Sequence, residues 1–395
     1  MEKERGKKKL KKILVLVDSY FPTGVAKSSR MLNFCRAFRE VGYEVHVISA
    51  HSKGNEVVGA VYELEGITYE IVSKKTYSTL DSFVGTSGFL NRVKKYIDSN
   101  KVDCVFMTSS TEYFRRLSRI IKSRGTKCYV EQCEWLDLSN YKFGKFDLRY
   151  INAEFFRRMG AKRIDGVISI SRLLDDYYRS VGVHSIRIPT ILDIKNTKYT
   201  YKIEKRDKIH IVFAGSLGGS KELLKPIIET LAQNEYYRKV IVFDIYGPTK
   251  NQILTNIDGD TDLINNTGCS IVIHGRIPQE QIQEVYLNSD YLIFIRPQRK
   301  SSNAGFPTKL AESMAVGTPV ITNNTGDISL YLENGKNGFL LSDNSTDVIR
   351  QCFDSIISTD ENTYMQMRRE ARKTAENNFD FRIYMELIKE YFQST

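Results

Sequence analysis

The feature that most limits the fold is a unit that occurs twice. It first runs from "KKILVLVDSYFP" through the Gly-containing loop "TGVAKSSR" and the segment "RMLNFCRAFREVGY" to "EVHVISA". Met31, Phe34, Ala37, Phe38 and Val41 recur at three- and four-residue steps, the spacing of one helical face. The flanking apolar runs read as strands, and a helix joining them at this length makes a parallel crossover. The pattern restarts at residue 209 with "IHIVFAGSLGGSKELLKPIIETLAQN", again strand, Gly-rich loop and helix.

Further strands are expected at "VDCVFMTS", "KCYVEQC", "DGVISIS" and "SIRIPTI" in the first half. In the second half they are expected at "VIVFDIYGP", "SIVIHGRIP", "DYLIFIRP", "TPVITNN" and "GFLLSD". Strands alternating with helices predict an α/β chain of two Rossmann-like, doubly wound domains facing each other across a cleft. The polar stretch "DIKNTKYTYKIEKRDK" between them reads as a connection. The expected division is a first domain over 1–195, a linker over 196–207 and a second domain over 208–376. An amphipathic, aromatic helix over 377–395 is expected to cross back to the first domain.

Charge is distributed unevenly. Residues 1–200 hold 36 Lys and Arg against 22 Asp and Glu, a net of +14, while the remainder holds 22 against 25. A one-sided basic field implies an anionic partner for the first half. On "YFRRLSRIIKSRG", Phe114, Leu117, Ile120 and Ile121 form a stripe among arginines, and "FLNRVKKYI" and "EFFRRMGAKR" repeat the mix. Such faces suit an anionic membrane surface, unless the stripe belongs to the core. No nucleic-acid-binding module is recognisable, so nucleic acid is not the expected partner. No apolar run approaches a membrane span and no signal peptide is expected, which points to a cytoplasmic protein, peripheral at the inner membrane face. Six scattered cysteines fit reduced thiols there.

Three loops could carry chemistry, all expected to end at the cleft. In "FAGSLGGSKELLK" the strand ends at Ala214, Gly215, Gly218 and Gly219 allow close backbone approach, and Lys221 stands where the next helix begins. "IVIHGRIPQEQIQEVYLNSDYLIFIRP" brings Gly275, Arg276 and then Arg296 to strand ends, Arg296 facing an anion or salt-bridged. In "SNAGFPTKLAESMAVGTPVITNNTGD", Pro307 is expected at the first helical position. The amides of Thr308 and Lys309 would then form an anion site, and Glu312 would share that face one turn on. "DGDTD" at 258–262 lacks the ligands of a calcium loop and reads as a solvated turn. No metal and no cofactor are expected.

These segments resemble the large retaining glycosyltransferase family 4, the glycosyl transferases group 1, over nearly the whole chain. "FAGSLGGSKELL" is similar to its G-R-L-x-x-x-K-G donor loop, and "GFPTKLAESMAVGTPVITNNTGD" to its E-x7-E segment. "IVIHGRIPQEQIQEVYLNSDYLIFIRP" and "DGVISISRLLDDYYRSVGVHSIRIPTILD" resemble two further segments, in the right order. Two positions depart. Ala304 replaces the first glutamate, as in a "PTKxxE" subgroup, and Ser216 replaces the usual arginine.

The resemblance implies a GT-B fold and transfer of a hexose-type sugar, with retention and no obligatory metal. The donor would be a nucleotide-diphosphate sugar, UDP-sugar favoured, and the acceptor a lipid-linked or polysaccharide glycan of the cell surface. It implies Lys221 as a catalytic cation on the diphosphate, and Lys309 (or Arg296) would join it in catalysis by supplying the charge that Ser216 lacks. Gly215, Ser216, Gly275, Arg276, Arg296, Gly305, Phe306, Thr308 and Glu312 would join them on the donor, Glu312 on the ribose hydroxyls. Gly24 would lie on the acceptor side, with Glu131 and Glu134 either beside it or satisfied strand-end carboxylates. The two departures leave room for a catalytically silent GT-B protein that binds nucleotide sugar or glycan.

Overall fold

The computed structural model describes residues 11–73, 81–108, 111–141, 143–196, 207–217 and 221–394. The chain forms two compact units, Met1–Ile191 with Phe381–Thr395, and Leu192–Asp380. Most of the expected linker, and Gly218 and Gly219, lie outside the described residues.

The first unit carries β1 (Lys11–Tyr20), β2 (Tyr43–His51), β3 (Val61–Leu64), β4 (Ile67–Ser73), β5 (Cys104–Thr108), β6 (Lys127–Gln132), β7 (Gly166–Ser169) and β8 (Ser185–Arg187). They lie in the order β3-β4-β2-β1-β5-β6-β7-β8. All neighbours are parallel except β3 and β4. That hairpin, not foreseen above, turns on Glu65 and Gly66, both at positive φ (53° and 75°). A two-residue turn of this hand matches strand twist. Arg36 holds Glu65 there through two hydrogen bonds of 2.6 and 2.7 Å.

The second unit carries β9 (Ile209–Ala214), β10 (Ile241–Tyr246), β11 (Ile271–Gly275), β12 (Tyr291–Phe294), β13 (Val320–Asn323) and β14 (Gly338–Leu341). Their order is β11-β10-β9-β12-β13-β14, all parallel. In each sheet the winding direction reverses once, between β1 and β5 and between β9 and β12. Ligands of open parallel sheets bind outside the carboxyl ends of the strands at such a reversal.

The core of the first unit is aromatic: Phe34, Phe38, Phe106, Tyr129 and Phe392 are all buried. Phe392 lies 5.1 Å from Phe38 and 4.2 Å from Tyr129, ring to ring. The tail therefore belongs to this core, and Tyr391 fixes it by donating to the carbonyls of Val167 and His184 at 3.0 Å. The same packing corrects the stripe on the helix Thr111–Lys122. Phe114, Leu117 and Ile121 are buried, while Arg115, Arg116, Arg119 and Lys122 face solvent. Among the described residues no helix is long and apolar enough to cross a membrane.

Candidate functional site

Three glycines end the first three strands of the second sheet and form a ladder. Gly215 follows β9 and donates its N–H to the carbonyl of Tyr246 at 3.0 Å. Gly247 follows β10 and donates to the carbonyl of Gly275 at 2.6 Å. All three have positive φ, 139°, 107° and 70° in sheet order. A Cβ on Gly247 would collide with the Gly215 carbonyl, so close approach of the two turns requires glycine there. Gly247 escaped the sequence reading because it sits inside an ordinary-looking "YGP" turn.

The loop after Gly215 is longer than expected. The next helix is Lys225–Gln233, so Lys221 lies in a turn, its N–H bonded to the Leu217 carbonyl at 3.2 Å. Leu223 donates to the Ile295 carbonyl at 2.8 Å, which ties this loop to the end of β12. Ser216 and Arg276 are exposed at the same edge.

The helix Thr308–Ala315 starts beside that loop. Pro307 is its cap rather than its first turn, with ψ 109°. The amides of Thr308 and Lys309 fall in the first turn, where no helical carbonyl precedes them. Gly305 joins this start to the preceding turn. Phe306 points away: it is buried against Tyr331 and Phe379, with ring centroids at 5.4 and 5.7 Å. Its ring therefore belongs to the core, which leaves only the backbone of Phe306 at the helix start.

Lys309 also differs from expectation. Its ammonium lies 3.2 Å from the Glu222 carboxylate, with side chains 13% and 8% exposed. Rings of Phe213 and Phe294 flank it at 4.3 and 5.3 Å. The pair is close but out of line for hydrogen bonding, so Nζ of Lys309 and Oε2 of Glu222 have no hydrogen-bond partner among the described residues. A Cβ on Gly215 would lie 3.2 Å from Nζ, so the ammonium sits directly under that turn. Lys309 is thus no bare cation: Glu222, which sequence reasoning passed over, offsets its charge. Burial first, and then the charges of Glu312 and Glu222, push the phenol of buried Tyr286 well above its ordinary value.

Arg296 is buried, and its guanidinium donates to the Ser302 carbonyl at 3.0 Å. Its backbone exchanges hydrogen bonds with the Asn323 side chain at 2.9 and 2.7 Å. The side chain thus helps to hold this loop. Ala304 is fully buried. In "DGDTD", Asp260 caps the helix Thr261–Asn265 and Asp258 pairs with Lys225 at 2.7 Å.

In the first unit the reversal point joins Asp18 and Thr108, whose hydroxyl donates to the carboxylate at 2.8 Å. Lys27 pairs with Asp18 at 3.0 Å. The Gly24 carbonyl, φ 123°, accepts from Lys53 at 2.8 Å. Glu131 is not an open acceptor-side group. It is buried and paired with Arg30, which also donates to the carbonyls of Ile188 and Pro189. That arginine links β6 to the chain after β8. Glu134 is exposed.

Residues 196–374 match the family model Glycosyl transferases group 1, a span covering nearly all of the second unit. By that match the second unit is similar to a glycosyl transferases group 1 domain, and the sheet edge just described lies within the matched span. No curated protein is a detectable relative of the chain by sequence. Among solved structures the chain is similar to sucrose-phosphate synthase from Thermosynechococcus elongatus (13% identity, TM-score 0.73, covering 97% of this chain and 98% of that one). It is also similar to Anabaena HepE solved with UDP and glucose (13%, TM-score 0.71, 98% and 100%). A third is WaaG, a glycosyltransferase involved in lipopolysaccharide biosynthesis (13%, TM-score 0.67, 97% and 100%). These likenesses show the fold: two parallel-sheet, Rossmann-like units of the GT-B class.

Proposed function

We propose that the protein is a retaining glycosyltransferase that moves a hexose-type sugar from a nucleotide-diphosphate sugar to a lipid-linked or polysaccharide acceptor of the cell surface. A UDP-sugar is the favoured donor, in keeping with HepE, which was solved with UDP and with UDP-glucose. The observation that carries the reading is the meeting of the Gly215 turn, the start of the helix Thr308–Ala315 and the Lys309 ammonium.

Transfer breaks the bond from the anomeric carbon to the diphosphate oxygen, which leaves with the electron pair. A new bond forms to an acceptor hydroxyl oxygen, whose proton passes to the departing diphosphate. Negative charge grows on the diphosphate, and amides and cations already in place stabilise it without reorganising. In this chain the amides of Thr308 and Lys309, with Lys221 and Arg276, would do so. The Lys309–Glu222 pair lies beneath and lends polarity rather than net charge. Glu312, one turn into the helix, would accept the ribose hydroxyls. The contact with an anionic membrane through the basic first unit completes the proposal, and the protein would act at the cytoplasmic face.

The test is turnover of a panel of UDP-, GDP- and dTDP-sugars by the purified chain. Release of UDP that depends on Glu312 supports the reading. Tight UDP binding with no turnover would instead make the chain a silent binding protein, which the buried Ala304 favours. No binding of any donor sinks the transferase reading and leaves only a silent glycan-binding protein.

A further inference from the structure

Between β6 and β7 the chain makes two single turns, Leu138–Asn140 and Gly144–Phe146, and the helix Leu148–Phe155. One side packs inward through buried Tyr141, Ala153 and Phe156, with Arg115 stacked 4.1 Å over Phe155. Elsewhere the segment exposes large apolar side chains, most of all Phe143 at 66%, Phe146 at 88%, Leu148 at 68%, Ile151 at 47% and Met159 at 51%. Phe143 and Phe146 are three residues apart across one tight turn, and Leu148 and Ile151 are three apart on the helix, so each pair shares a face. Scattered exposed leucines need no explanation, but a run of this density marks a contact surface.

The charge around these side chains indicates what they meet. Residues 138–163 hold seven Lys and Arg against two acids. Both acids are already paired, Asp147 with Arg149 at 2.9 Å and Glu154 with Arg157 and Arg158. Exposed Lys145, Lys162 and Arg163 remain, with Arg115, Arg116 and Arg119 on the neighbouring helix. A second copy would bring like charge against like charge. Single-stranded nucleic acid would find few stacking faces, because three of the five apolar residues are aliphatic. An anionic bilayer satisfies both features: apolar tips enter below the headgroups while cations meet the phosphates.

We propose that residues 143–163 dock the protein on an anionic lipid bilayer, with Phe143 and Phe146 inserted. This rests on the membrane part of the reading above and moves the contact away from the helix stripe that the sequence suggested. The experiment is flotation of the full chain with phosphatidylcholine vesicles, with and without phosphatidylglycerol. Wild-type protein is expected to float only with phosphatidylglycerol. The Phe143→Ser/Phe146→Ser variant should lose about tenfold in binding or more. Lys145→Glu/Lys162→Glu/Arg163→Glu should lose the phosphatidylglycerol preference. Thermal melting and UDP release with a soluble acceptor should match wild type in both variants, so failure of the transferase reading appears in UDP release and not in flotation. The proposal is overturned if wild type does not float. It is also overturned if the serine variant floats equally, or if that variant instead dissolves a dimer seen by sedimentation.

Discussion

The ammonium of Lys309 stands 3.2 Å from the carboxylate of Glu222, between two phenylalanine rings and under the turn at Gly215. Both charges are largely withdrawn from water, so removing one leaves the other buried without compensation. Lys309→Met and Glu222→Gln are each expected to destabilise the second unit by about 3–5 kcal/mol. The double variant Lys309→Met/Glu222→Leu should recover most of that loss, measured by a urea double-mutant cycle. Weakened UDP affinity should persist in the double variant. Recovery of affinity along with stability would show that the pair is purely structural.

The glycine ladder gives a sharper steric test. At Gly247, φ 107° and the Gly215 carbonyl both exclude a side chain. Gly247→Ala should cost about 1–3 kcal/mol through backbone strain and displace the Gly215 turn. UDP binding by calorimetry should weaken with it. Gly42→Ala serves as the control, because nothing lies near its Cβ, although φ 95° is also positive there.

Glu312 is only half-buried, so its loss should spare the fold. Glu312→Ala is expected to raise the Kd for UDP about 10- to 100-fold, the worth of hydrogen bonds to a charged group. The melting temperature should stay near wild type. Unchanged affinity would remove Glu312 from the donor site.

Phe392 tests whether the tail is integral to the first unit. Its ring fills the centre of the aromatic core, so Phe392→Ala should cost about 3–5 kcal/mol. Hydrogen exchange should quicken in β1 and β5 while amides of β9 and β12 keep their protection.

Much of this was legible because the signals are local. Every strand of the second sheet was expected, since each is a short apolar run bounded by glycine, proline or asparagine. Local pattern also located the Gly215 loop and, to within one residue, the start of the helix Thr308–Ala315. The β3–β4 hairpin was missed because "VYELEGITYE" is too polar to read as buried strand, and its positive-φ glutamate depends on Arg36 from a distant helix.

The sequence alone determined the two α/β halves, their order and the glycine-bearing strand ends of the second sheet. Periodicity and turn residues are properties of neighbours along the chain. Only the tertiary structure decided which charges are available. It paired Lys309 with Glu222 and Glu131 with Arg30, turned Arg296 and Phe306 inward, and sank the stripe of Phe114 and Leu117 into the core. Whether a side chain faces water or a partner depends on residues far away in the chain, and no local spacing encodes that. The same packing left Phe143 and Phe146 outside, at a place that no periodicity had marked.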